Sequence, residues 1–451
     1  MIFNYLKYIK PIWYFNLKPS KDFCYFPTIS QLEKAAFPFV IDTNYKSKIA
    51  QERDVAWTAF QQGFIKTDSQ DGLNIWEEVK IPVQDEYVFL RKNYHKAWVF
   101  YVLLLRIITF HNPIVEIISF IKTRDILRFD FSKNHAVQLD YETFESSLVK
   151  SNPLISVVIP TLNRYEYLKD VLRDLENQSY TNFEVIIVDQ TDDFQAEFYK
   201  GWKLDLHFWF QEEKALWKAR NEAIQSSKGD YILLYDDDSL IEKDWILEHI
   251  KALDYFKADL SSGVSISTVG AEVPKHYSYF RWSDQLDTGN VLLKKDVFEK
   301  IGLFDRQFEK QRMGDGEFGL RAYLAGYKNI SNYKAKRIHL KVSQGGLRQM
   351  GSWDGWRPKK LFGPRPVPSV LYLSRKYFGV KLSQYYIIHS ILPSLVPYQF
   401  KKNKLLKIIS FVLIPLLFPL ICFQVIKSWN LASTKLAQGD RIEKLTFANN
   451  N

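Results

Sequence analysis

The sequence predicts an α/β fold in the middle of the 451-residue chain, with a mostly parallel sheet and helices on both of its faces. Three short apolar runs have the length and composition of strands buried on both faces: residues 154–159, 183–188 and 231–235. Between the first two runs, apolar residues from Leu168 to Leu175 recur at helical spacing. A strand, a helix and a strand in this order form a βαβ unit, whose two strands are parallel.

Polar residues follow each predicted strand at the point where it ends. Residues 160–164 read Pro-Thr-Leu-Asn-Arg, Asp189 follows the second strand, and three carboxylates at 236–238 follow the third. In open parallel sheets, ligands bind outside the carboxyl ends of the strands. We therefore expect these polar side chains to share one crevice.

The acidic run after the third strand favours a bound cation. Hard divalent ions such as Mg²⁺ or Mn²⁺ take oxygen ligands, and they often complete their coordination shell with water and substrate phosphates. A nucleotide diphosphate is therefore the expected partner. The alternative is an acidic loop that caps the next predicted helix, residues 241–255.

Four motifs, in order along the chain, resemble the nucleotide-sugar-binding half of family 2 glycosyltransferases, which have the GT-A fold. The motifs are residues 157–164, Val188-Asp189, residues 218–221 and residues 236–238, and the resemblance extends over residues 154–345. It implies an enzyme that takes a sugar from a nucleotide-diphosphate donor. It also implies donor contacts at nine positions: Pro160, Thr161, Asn163, Arg164, Asp189, Arg220, Asn221, Asp236 and Asp237.

The chemistry of these residue types agrees with donor binding. Asp189 can accept a hydrogen bond from a base or a ribose hydroxyl, and Arg220 can pair with phosphate oxygens through its planar guanidinium. The alternatives are a solvated helix residue for Arg220 and ordinary helix-start chemistry for Asn163 and Arg164. Many relatives carry a second acidic residue where this chain has Gln190, so the resemblance does not specify uridine as the base.

The acceptor side of the site is expected in the second half of the resemblance. Residues 280–305 resemble the segment that walls the acceptor pocket in this family, and they imply acceptor contacts at Trp282, Gly289 and Asn290. The acceptor group that the resemblance implies is a hydroxyl on a growing glycan.

The resemblance implies Asp315 as the catalytic base. Aligned on Arg321 and the Ala-Gly-Tyr that follows it, Asp315 falls where the family has its base, and an inverting transfer needs one carboxylate to take the proton of the attacking hydroxyl. Where the family often has Glu-Asp, this chain has Gly314-Asp315, so Glu317 is a second candidate for the base or for acceptor binding. Both acids can instead simply start a helix predicted over residues 317–325.

The implied metal ligands are Asp236, Asp238 and His339, holding Mn²⁺ or Mg²⁺. In many relatives a histidine in this region completes the metal shell or touches the diphosphate, although a lone histidine is often structural. Residues 345–348, Gly-Gly-Leu-Arg, are predicted to form a lid that closes over the donor and excludes water.

Other classes of protein remain open at this stage. A catalytically inactive sugar-nucleotide-binding or scaffolding protein of a glycan assembly complex is favoured by Gln190 and Gly314. A nucleotidyltransferase would need a Gly-rich basic loop after the first strand, which residues 160–163 are not. The Gln-x-x-Arg-Trp motif of processive synthases is absent after the catalytic acid, so a processive enzyme is not expected.

Composition indicates a membrane partner. The net charge of +10 and the aromatic content of 16% suit an anionic membrane surface, and the sequence has no motif of a nucleic-acid-binding module. Two distant cysteines, Cys24 and Cys422, give no disulfide framework, which suits a reducing cytoplasm. We therefore expect the protein at the cytoplasmic face of the cell membrane.

The membrane contact is predicted in the C-terminal tail. Residues 408–426 contain no charged residue and follow a lysine-rich stretch at 401–407. About twenty apolar residues can span a bilayer, but Pro415 and Pro419 make an in-plane anchor or a re-entrant hairpin equally consistent with the pattern. A buried core helix is the remaining alternative. A lipid-linked glycan acceptor would explain a membrane anchor.

The predicted organisation has three parts: an N-terminal region at 1–150, the transferase domain at 151–356, and a Pro-rich exit with a helical tail at 357–451. In the first part the pattern predicts a helix over 49–64, a strand over 88–91 and an apolar helix over 98–110. The last is too short to span a bilayer, and a buried helix or an interfacial helix fits it better. No motif in it carries chemistry, and three roles stay open for it: packing against the transferase domain, contact with the acceptor, and association.

Overall fold

The computed structural model divides the chain into two compact units. The first comprises Met1–Val137 and Phe378–His389, and the second Gln138–Tyr377 and Ser390–Asn451. The structure describes residues 1–21, 23–67, 71–267, 272–342, 345–346, 354–396, 405, 409 and 413–445. The resemblance seen in the sequence falls within the second unit.

The first unit is helical where it has regular structure. Its helices are α1 Leu6–Ile9, α2 Ile29–Lys34, α3 Lys48–Gln61, α4 Val83–Asn93, α5 Lys96–Ile108 and α6 Pro113–Lys122. The helices predicted over 49–64 and 98–110 are confirmed as α3 and α5, but the strand predicted over 88–91 is wrong, because these residues lie in α4. All residues from Tyr87 to Leu90 are buried, so this stretch of α4 reads as a continuous apolar run, like a buried strand.

The second unit alternates strands and helices through its first half. Its strands are β1 Ile155–Thr161, β2 Phe183–Asp189, β3 Asp205–Phe210, β4 Tyr231–Tyr235, β5 Ser239–Ile241, β6 Leu260–Ser267, β7 Arg281–Trp282, β8 Asn290–Lys294 and β9 Asn329–His339. Its helices are α7 Ser147–Ser151, α8 Tyr165–Glu176, α9 Leu216–Ser226, α10 Trp245–Tyr255, α11 Lys295–Ile301, α12 Gly314–Leu324, α13 Pro368–Leu395, of which residues 378–389 belong to the first unit, and α14 Ile414–Gln438.

Among the described residues, these nine strands form one sheet with the order β3-β2-β1-β4-β8-β6-β9-β5, and β7 pairs with β9. The four strands from β3 to β4 are parallel to one another, and β8 joins β4 in the antiparallel direction. Every residue of β1 and β2 is buried, as expected for strands covered on both faces. The predicted α/β class is confirmed, and β8 marks where the sheet becomes mixed.

The pairing register brings the polar strand ends together. Thr161 at the end of β1 lies opposite Asp189 at the end of β2, and β1 also pairs in parallel with β4, which ends just before Asp236. Because neighbouring parallel strands run to the same edge of a sheet, the three polar segments border one crevice.

Two helix starts differ from the prediction. The helix predicted from residue 241 begins at Trp245, because Ser239–Ile241 pair with β9 as the short strand β5. The helix predicted from Glu317 begins at Gly314, about one turn earlier, so Asp315 lies in its first turn. The first shift places the acidic run between β4 and β5, and the second places Asp315 within α12.

The tail contains α14, which carries apolar side chains on its exposed face. Of the described residues, Pro415–Gln438 form one helix long and apolar enough to cross a membrane by length and composition, with a mean hydropathy of 1.3 in its most apolar window. Gln424 and Ser428 are buried, whereas Leu416 and Ile426 are exposed. Within the segment predicted to contact a membrane, 408–426, residues 408 and 410–412 lie outside the described residues.

Candidate active site

The segment that ends β1 is joined to the acidic run after β4 by direct contacts. Pro160 lies within β1. The hydroxyl of the next residue, Thr161, donates a hydrogen bond to Asp237 Oδ2 at 2.8 Å. Arg164 Nη1 donates to Asp237 Oδ1 at 2.7 Å and lies 3.2 Å from Asp238 Oδ2. The structure therefore brings these two segments together, as the sequence predicted.

Asn163 links the same segment to the chain beyond β2. Its backbone is in the left-handed region, at φ 54°, and its amide side chain exchanges two hydrogen bonds with Asp192, one with the carboxylate and one with the backbone amide. This geometry fixes the loop between β1 and α8 against the end of β2.

Two buried arginines hold Asp236. Arg220 Nη2 donates to Asp236 Oδ1 at 3.0 Å, and Arg337 Nη1 donates to Oδ2 at 2.8 Å. Arg337 also donates to Asp287 Oδ2 at 2.9 Å, while Arg220 donates twice to Thr288. Sequence reasoning did not single out Asp287 or Arg337. The sequence feature that could have indicated Asp287 and Arg337 is their position within the second half of the segment that resembles the family.

The pKa values follow from this burial and pairing. Burial is the largest influence on the Arg337 guanidinium and would lower its pKa, but the carboxylates of Asp287 and Asp236 outweigh it and raise the pKa. Burial raises the pKa of Asp237 to about 6, against the opposing effect of Arg164. In Arg220, burial dominates and the pKa is lowered. The wall of the crevice is thus a desolvated network of charges.

Asp236, Asp238 and His339 present their ligand atoms within 4.8 Å of one another. His339 reaches this position because it pairs with Ser239 in the β5–β9 ladder, and its Nε2 lies 3.3 Å from Asp238 Oδ1. Asp238 is 1% exposed, and its Oδ2 lies 3.2 Å from the Arg164 guanidinium without accepting a hydrogen bond from the residues that the structure describes. Two carboxylates and an imidazole form a donor set that fits a divalent cation.

Gly289 lets Asp236 and Arg337 meet. A Cβ at this position would lie 2.1 Å from Asp236 Oδ2 and 2.3 Å from Arg337 Nη1. The Gly289 amide also donates to Asp287 Oδ1 at 3.1 Å. The packing of the charged network itself therefore requires glycine at this position, which was predicted as an acceptor contact.

A second group of metal-ligand type lies elsewhere on the sheet. Glu184, Asp205 and His207 also place their ligand atoms within 4.8 Å of one another, near the amino-terminal ends of β2 and β3. There the Lys228 ammonium lies 3.9 Å from Glu184 Oε2 and provides a counter-charge. This group is at the opposite end of the parallel strands from the acidic run.

The residues at the end of β2 are held by internal hydrogen bonds. Asp189 is fully buried and accepts from the hydroxyls of Tyr165 and Tyr199 at 2.6 and 2.7 Å. Gln190 Oε1 accepts from the Ala215 amide at 2.6 Å and so positions the start of α9. Donor contact by Asp189 stays a prediction.

Asn221 is engaged with the protein backbone. Its Nδ2 donates to the Phe304 carbonyl at 3.0 Å, and its Oδ1 accepts from the Phe304 amide at 2.9 Å. Both ends of the side-chain amide thus form a structural link between α9 and the loop after α11. The donor contact predicted for Asn221 stays a prediction.

Asp315 is half-buried in the first turn of α12. Burial raises its pKa, with Asp287 acting in the same direction and Arg312 and Arg220 opposing it. The electrostatic interactions with Asp287 and Arg220 place Asp315 near the same charged network. A carboxylate with a raised pKa beside a crevice is suited to accept a proton.

Glu317, the second acid considered for catalysis, is fully buried and paired. Arg321 contacts its two carboxylate oxygens at 3.1 and 3.0 Å, and the Tyr377 hydroxyl donates to Oε1. With 0% exposure, Glu317 offers no atom to a substrate in this arrangement. Its contacts instead tie α12 to α13.

Trp282 and Asn290, predicted as acceptor contacts, lie in the core. Trp282 is 2% exposed in β7, and Asn290 is fully buried. Asn290 Oδ1 accepts from Trp245 Nε1 and lies 3.1 Å from His249 Nε2, while its Nδ2 donates to two backbone carbonyls. In this arrangement the asparagine has both ends of its amide in use and no surface for an acceptor.

Gly345 and Gly346 lie against the segment after β1. Both have positive φ, and the Gly346 amide donates to the Leu162 carbonyl at 2.6 Å. A Cβ at Gly346 would lie 2.3 Å from Arg164 Cζ, so only glycine allows this close approach. The other two residues of the predicted lid, at 347–348, lie outside the described residues, and lid closure stays a prediction.

Gly314 departs from the acidic residue that the family often has, and its surroundings explain why. A Cβ at this position would lie 2.3 Å from Trp217 Cζ2. The centroid of the Trp217 ring lies 5.0 Å from the centroid of the Phe304 ring and 5.4 Å from Arg220 Cζ. The indole of Trp217 thus takes the space that a larger side chain at 314 would need.

Replacing Gly314 by alanine is therefore expected to lower the free energy of unfolding by about 1–3 kcal/mol, the usual cost of overpacking. In an unhindered helix the same change raises the free energy of unfolding by about 0.5–1 kcal/mol. The sign of the change therefore shows whether the alanine clashes with Trp217. Denaturant unfolding would measure it. In a Trp217→Phe background the alanine should cost less, and an equal cost in both backgrounds would rule out the proposed clash.

The fold and site together define an α/β protein in which an acidic run and buried arginines meet at the carboxyl ends of the parallel strands. Residues 156–312 match the sequence model of the family Glycosyl transferase family 2. The chain thus contains a family 2 glycosyltransferase domain, as its motifs predicted, and this domain carries the acidic run and the segment after β1.

Curated glycosyltransferases match the same part of the chain. The amylovoran biosynthesis glycosyltransferase AmsB of Erwinia amylovora is 29% identical over 202 residues, which is 39% of this chain and 65% of AmsB. Glycosyltransferase GlyA of Streptococcus pneumoniae serotype 4 is 26% identical over 166 residues, which is 35% of this chain and 22% of GlyA. The chain thus spans less than two thirds of the length of these curated relatives.

A solved structure gives a weaker likeness. The structure of S. aureus TarS 1–349 in complex with UDP-GlcNAc is 17% identical, covers 63% of this chain and 92% of that chain, and has a TM-score of 0.42.

Proposed function

We propose that this protein is an inverting glycosyltransferase that moves a sugar from a nucleotide-diphosphate donor to a hydroxyl group of a glycan in polysaccharide biosynthesis. The observation that carries the proposal is the arrangement of Asp236, Asp238 and His339 within 4.8 Å at the end of β4, inside a family 2 glycosyltransferase domain. The role of AmsB in amylovoran biosynthesis supports the assignment to polysaccharide assembly.

The donor would lie along the carboxyl ends of β2, β1 and β4. Residues 160–164, Asp189 and the acidic run border this crevice. Arg164 and Arg220 are guanidinium groups in contact with the acidic run, and each can exchange a carboxylate contact for a phosphate oxygen when the donor binds.

A divalent cation, Mn²⁺ or Mg²⁺, would be held by Asp236, Asp238 and His339 and would stabilise the negative charge of the departing diphosphate. The charges around it support this. Four carboxylates, at Asp236, Asp237, Asp238 and Asp287, face three guanidinium groups, at Arg164, Arg220 and Arg337, which leaves one negative charge. A cation–diphosphate pair can enter without creating a large charge imbalance.

Asp315 would act as the general base. Its carboxylate takes the proton from the attacking hydroxyl, which then forms the new glycosidic bond as the bond to the diphosphate breaks. Burial raises the pKa of Asp315, so the carboxylate holds a proton more readily than an exposed aspartate. One displacement step at the sugar carbon inverts its configuration.

The acceptor is proposed to be lipid-linked, with the protein on the cytoplasmic face of the cell membrane. The support is α14. Its buried side carries Gln424, which accepts from Arg365 Nε at 2.8 Å, while Leu416 and Phe418 lie on its exposed side. A helix with one side packed on the protein and apolar residues on the other is suited to lie in the plane of a membrane.

The proposal is tested by calorimetry of the purified full chain with a panel of nucleotide diphosphates and their sugar conjugates, each with Mn²⁺ and with chelator. Selective binding of one conjugate that requires the metal supports the proposal and identifies the donor. Absence of binding by every conjugate contradicts it and would favour a scaffolding protein instead.

A further inference from the structure

Helix α6 of the first unit has its polar and apolar faces reversed. Its buried residues are Glu116 and Ser119. Five of its large apolar residues are exposed, Ile114, Val115, Ile117, Ile118 and Ile121, and its exposed charged residue is Lys122 at the last position. A surface helix in water normally buries its apolar stripe and exposes its polar one. The orientation of α6 therefore suits surroundings that are not aqueous.

Glu116 fixes this orientation. Its carboxylate accepts from the hydroxyls of Tyr5 at 2.8 Å and Tyr87 at 2.7 Å, and Arg106 contacts it through Nε at 2.8 Å and Nη2 at 2.7 Å. A rotation that turned the isoleucines inward would break all of these contacts and leave Arg106 without its buried counter-charge. The outward isoleucines are thus part of the fold of this unit.

The apolar area continues onto α5 and the turn between the helices. Phe100, Leu104 and Ile108 are exposed at four-residue spacing along α5, and Phe110 in the turn is 97% exposed. With the five residues of α6 they form what we call the α5–α6 apolar surface. Contiguous apolar areas of this kind on a protein mark a site of interaction with a protein or a membrane.

Basic residues end α6 and follow it along the chain. From residue 110 to residue 133, the exposed charged side chains are four basic ones, Lys122, Arg124, Arg128 and Lys133, and one acidic one, Asp125. Exposed cations next to an apolar helix face match the headgroups of anionic phospholipids, and each one near the bilayer strengthens the attraction. A symmetric contact with a second copy would instead bring the same cations together.

We propose that the α5–α6 apolar surface inserts into the interface of an anionic phospholipid bilayer, which makes the first unit a membrane-binding module. This surface lies outside residues 156–312, so the proposal does not depend on sugar transfer. It assigns one function to a region for which the sequence left several open. The binding partner is the lipid bilayer itself. The isoleucine and phenylalanine side chains lie among the acyl chains, and the basic side chains lie at the phosphates.

The test compares binding of the full-length protein to vesicles that contain phosphatidylglycerol. We expect the double variant Ile114→Asp/Ile118→Asp to bind at least about tenfold more weakly than the wild type, because each change removes the burial of an isoleucine and adds a repelled charge. The matched control is Val40→Asp/Ile41→Asp. Val40 and Ile41 are 82% and 46% exposed, against 67% and 46% for Ile114 and Ile118. Equal binding by both variants would overturn the proposal.

A second measurement separates this surface from the tail and does not rely on the aspartate variants folding. An environment-sensitive fluorophore is attached to Ile118→Cys or to Val40→Cys, in a chain whose Cys24 and Cys422 are changed to serine. When vesicles are added, the fluorescence emission of the label at 118 should shift to shorter wavelength, and that of the label at 40 should not. Vesicle binding without that shift assigns the contact to α14 alone. A shift that depends on protein concentration without vesicles assigns the surface to a second copy. Either result overturns the proposal.

Discussion

Replacing Asp315 by asparagine is expected to lower the rate of sugar transfer by a factor of about 10² to 10⁴, the range over which a general base contributes, while donor binding changes little. Asparagine keeps the shape of the side chain but cannot take a proton. Because Asp315 is not one of the three residues grouped as metal ligands, the metal-dependent affinity for the donor should survive. The measurement is release of the nucleotide diphosphate from the donor that binds, in the presence and absence of a glycolipid acceptor.

The stability of the same variant distinguishes a catalytic role from a structural one. Burial raises the pKa of Asp315 in the folded state, so folding disfavours the ionised carboxylate at neutral pH relative to the unfolded chain. Asparagine removes that charge. We therefore expect the thermal midpoint of Asp315→Asn to stay the same or rise while transfer is lost. A drop in both would point to a structural role.

A matched control comes from the preceding helix. Asp296 also lies in the first turn of its helix, α11, and forms an exposed pair with Lys300 at 3.7 Å. Asp296→Asn makes the same chemical change in the same helical position, outside the charged network. It should leave transfer unchanged. A similar loss in both variants would contradict the assignment of Asp315 as the base.

The pH dependence of transfer by the wild-type protein also tests the role of Asp315 as the base. The active form has Asp315 ionised, so activity should fall as the pH is lowered through its pKa. Because burial raises that pKa, the acid limb should lie above the value of about 3.9 that is usual for aspartate. The variant should lose this limb together with its activity.

The sequence predicted the parallel half of the sheet because its information there is local. In β1, β2 and β4, an apolar run of strand length stops at a polar group, and both the strand and its functional end can be read within about ten residues. The crevice then follows from the rule that parallel strands present their carboxyl ends at one edge.

The charged network could not be predicted in the same way. Arg337 lies 101 residues from its partner Asp236, and in β9 it alternates with other polar and basic residues, so it reads as a solvent-facing cation. Only the pairing of β9 with β5 and β6 turns it into the sheet and buries it to 1% exposure. Side-chain direction in a strand depends on partners that are distant in sequence.

Glu317 and Asn290 show the opposite difficulty. Each has the residue type expected at a site, yet other groups of the protein, local and distant, already take up its hydrogen bonds. A buried polar group must be paired, and the pairing group can be anywhere in the chain. Residue type and alignment therefore suggest candidates for a site, and burial decides which of them a substrate can reach.

Replacing Asp238 by asparagine is expected to abolish the metal-dependent part of donor binding, with a loss of more than about 100-fold, because it removes a ligand from the proposed metal site. Asp238 is 1% exposed and its Oδ2 lies 3.2 Å from Arg164 Nη1, so asparagine also removes this ionic contact. Calorimetry with Mn²⁺ and with chelator measures the effect. In chelator, the variant and the wild type should bind the donor with the same low affinity.

The control uses the other group of metal-ligand type. Asp205 belongs to the Glu184–Asp205–His207 group at the opposite end of the strands, and its side chain is 63% exposed. Asp205→Asn should leave metal-dependent donor binding intact. If instead Asp205→Asn abolishes it and Asp238→Asn does not, the cation acts at the wrong end of the sheet for the proposed reaction. Together with Asp315→Asn, the three variants separate metal binding from proton transfer: Asp238 should govern donor affinity, Asp315 the rate of transfer, and Asp205 neither.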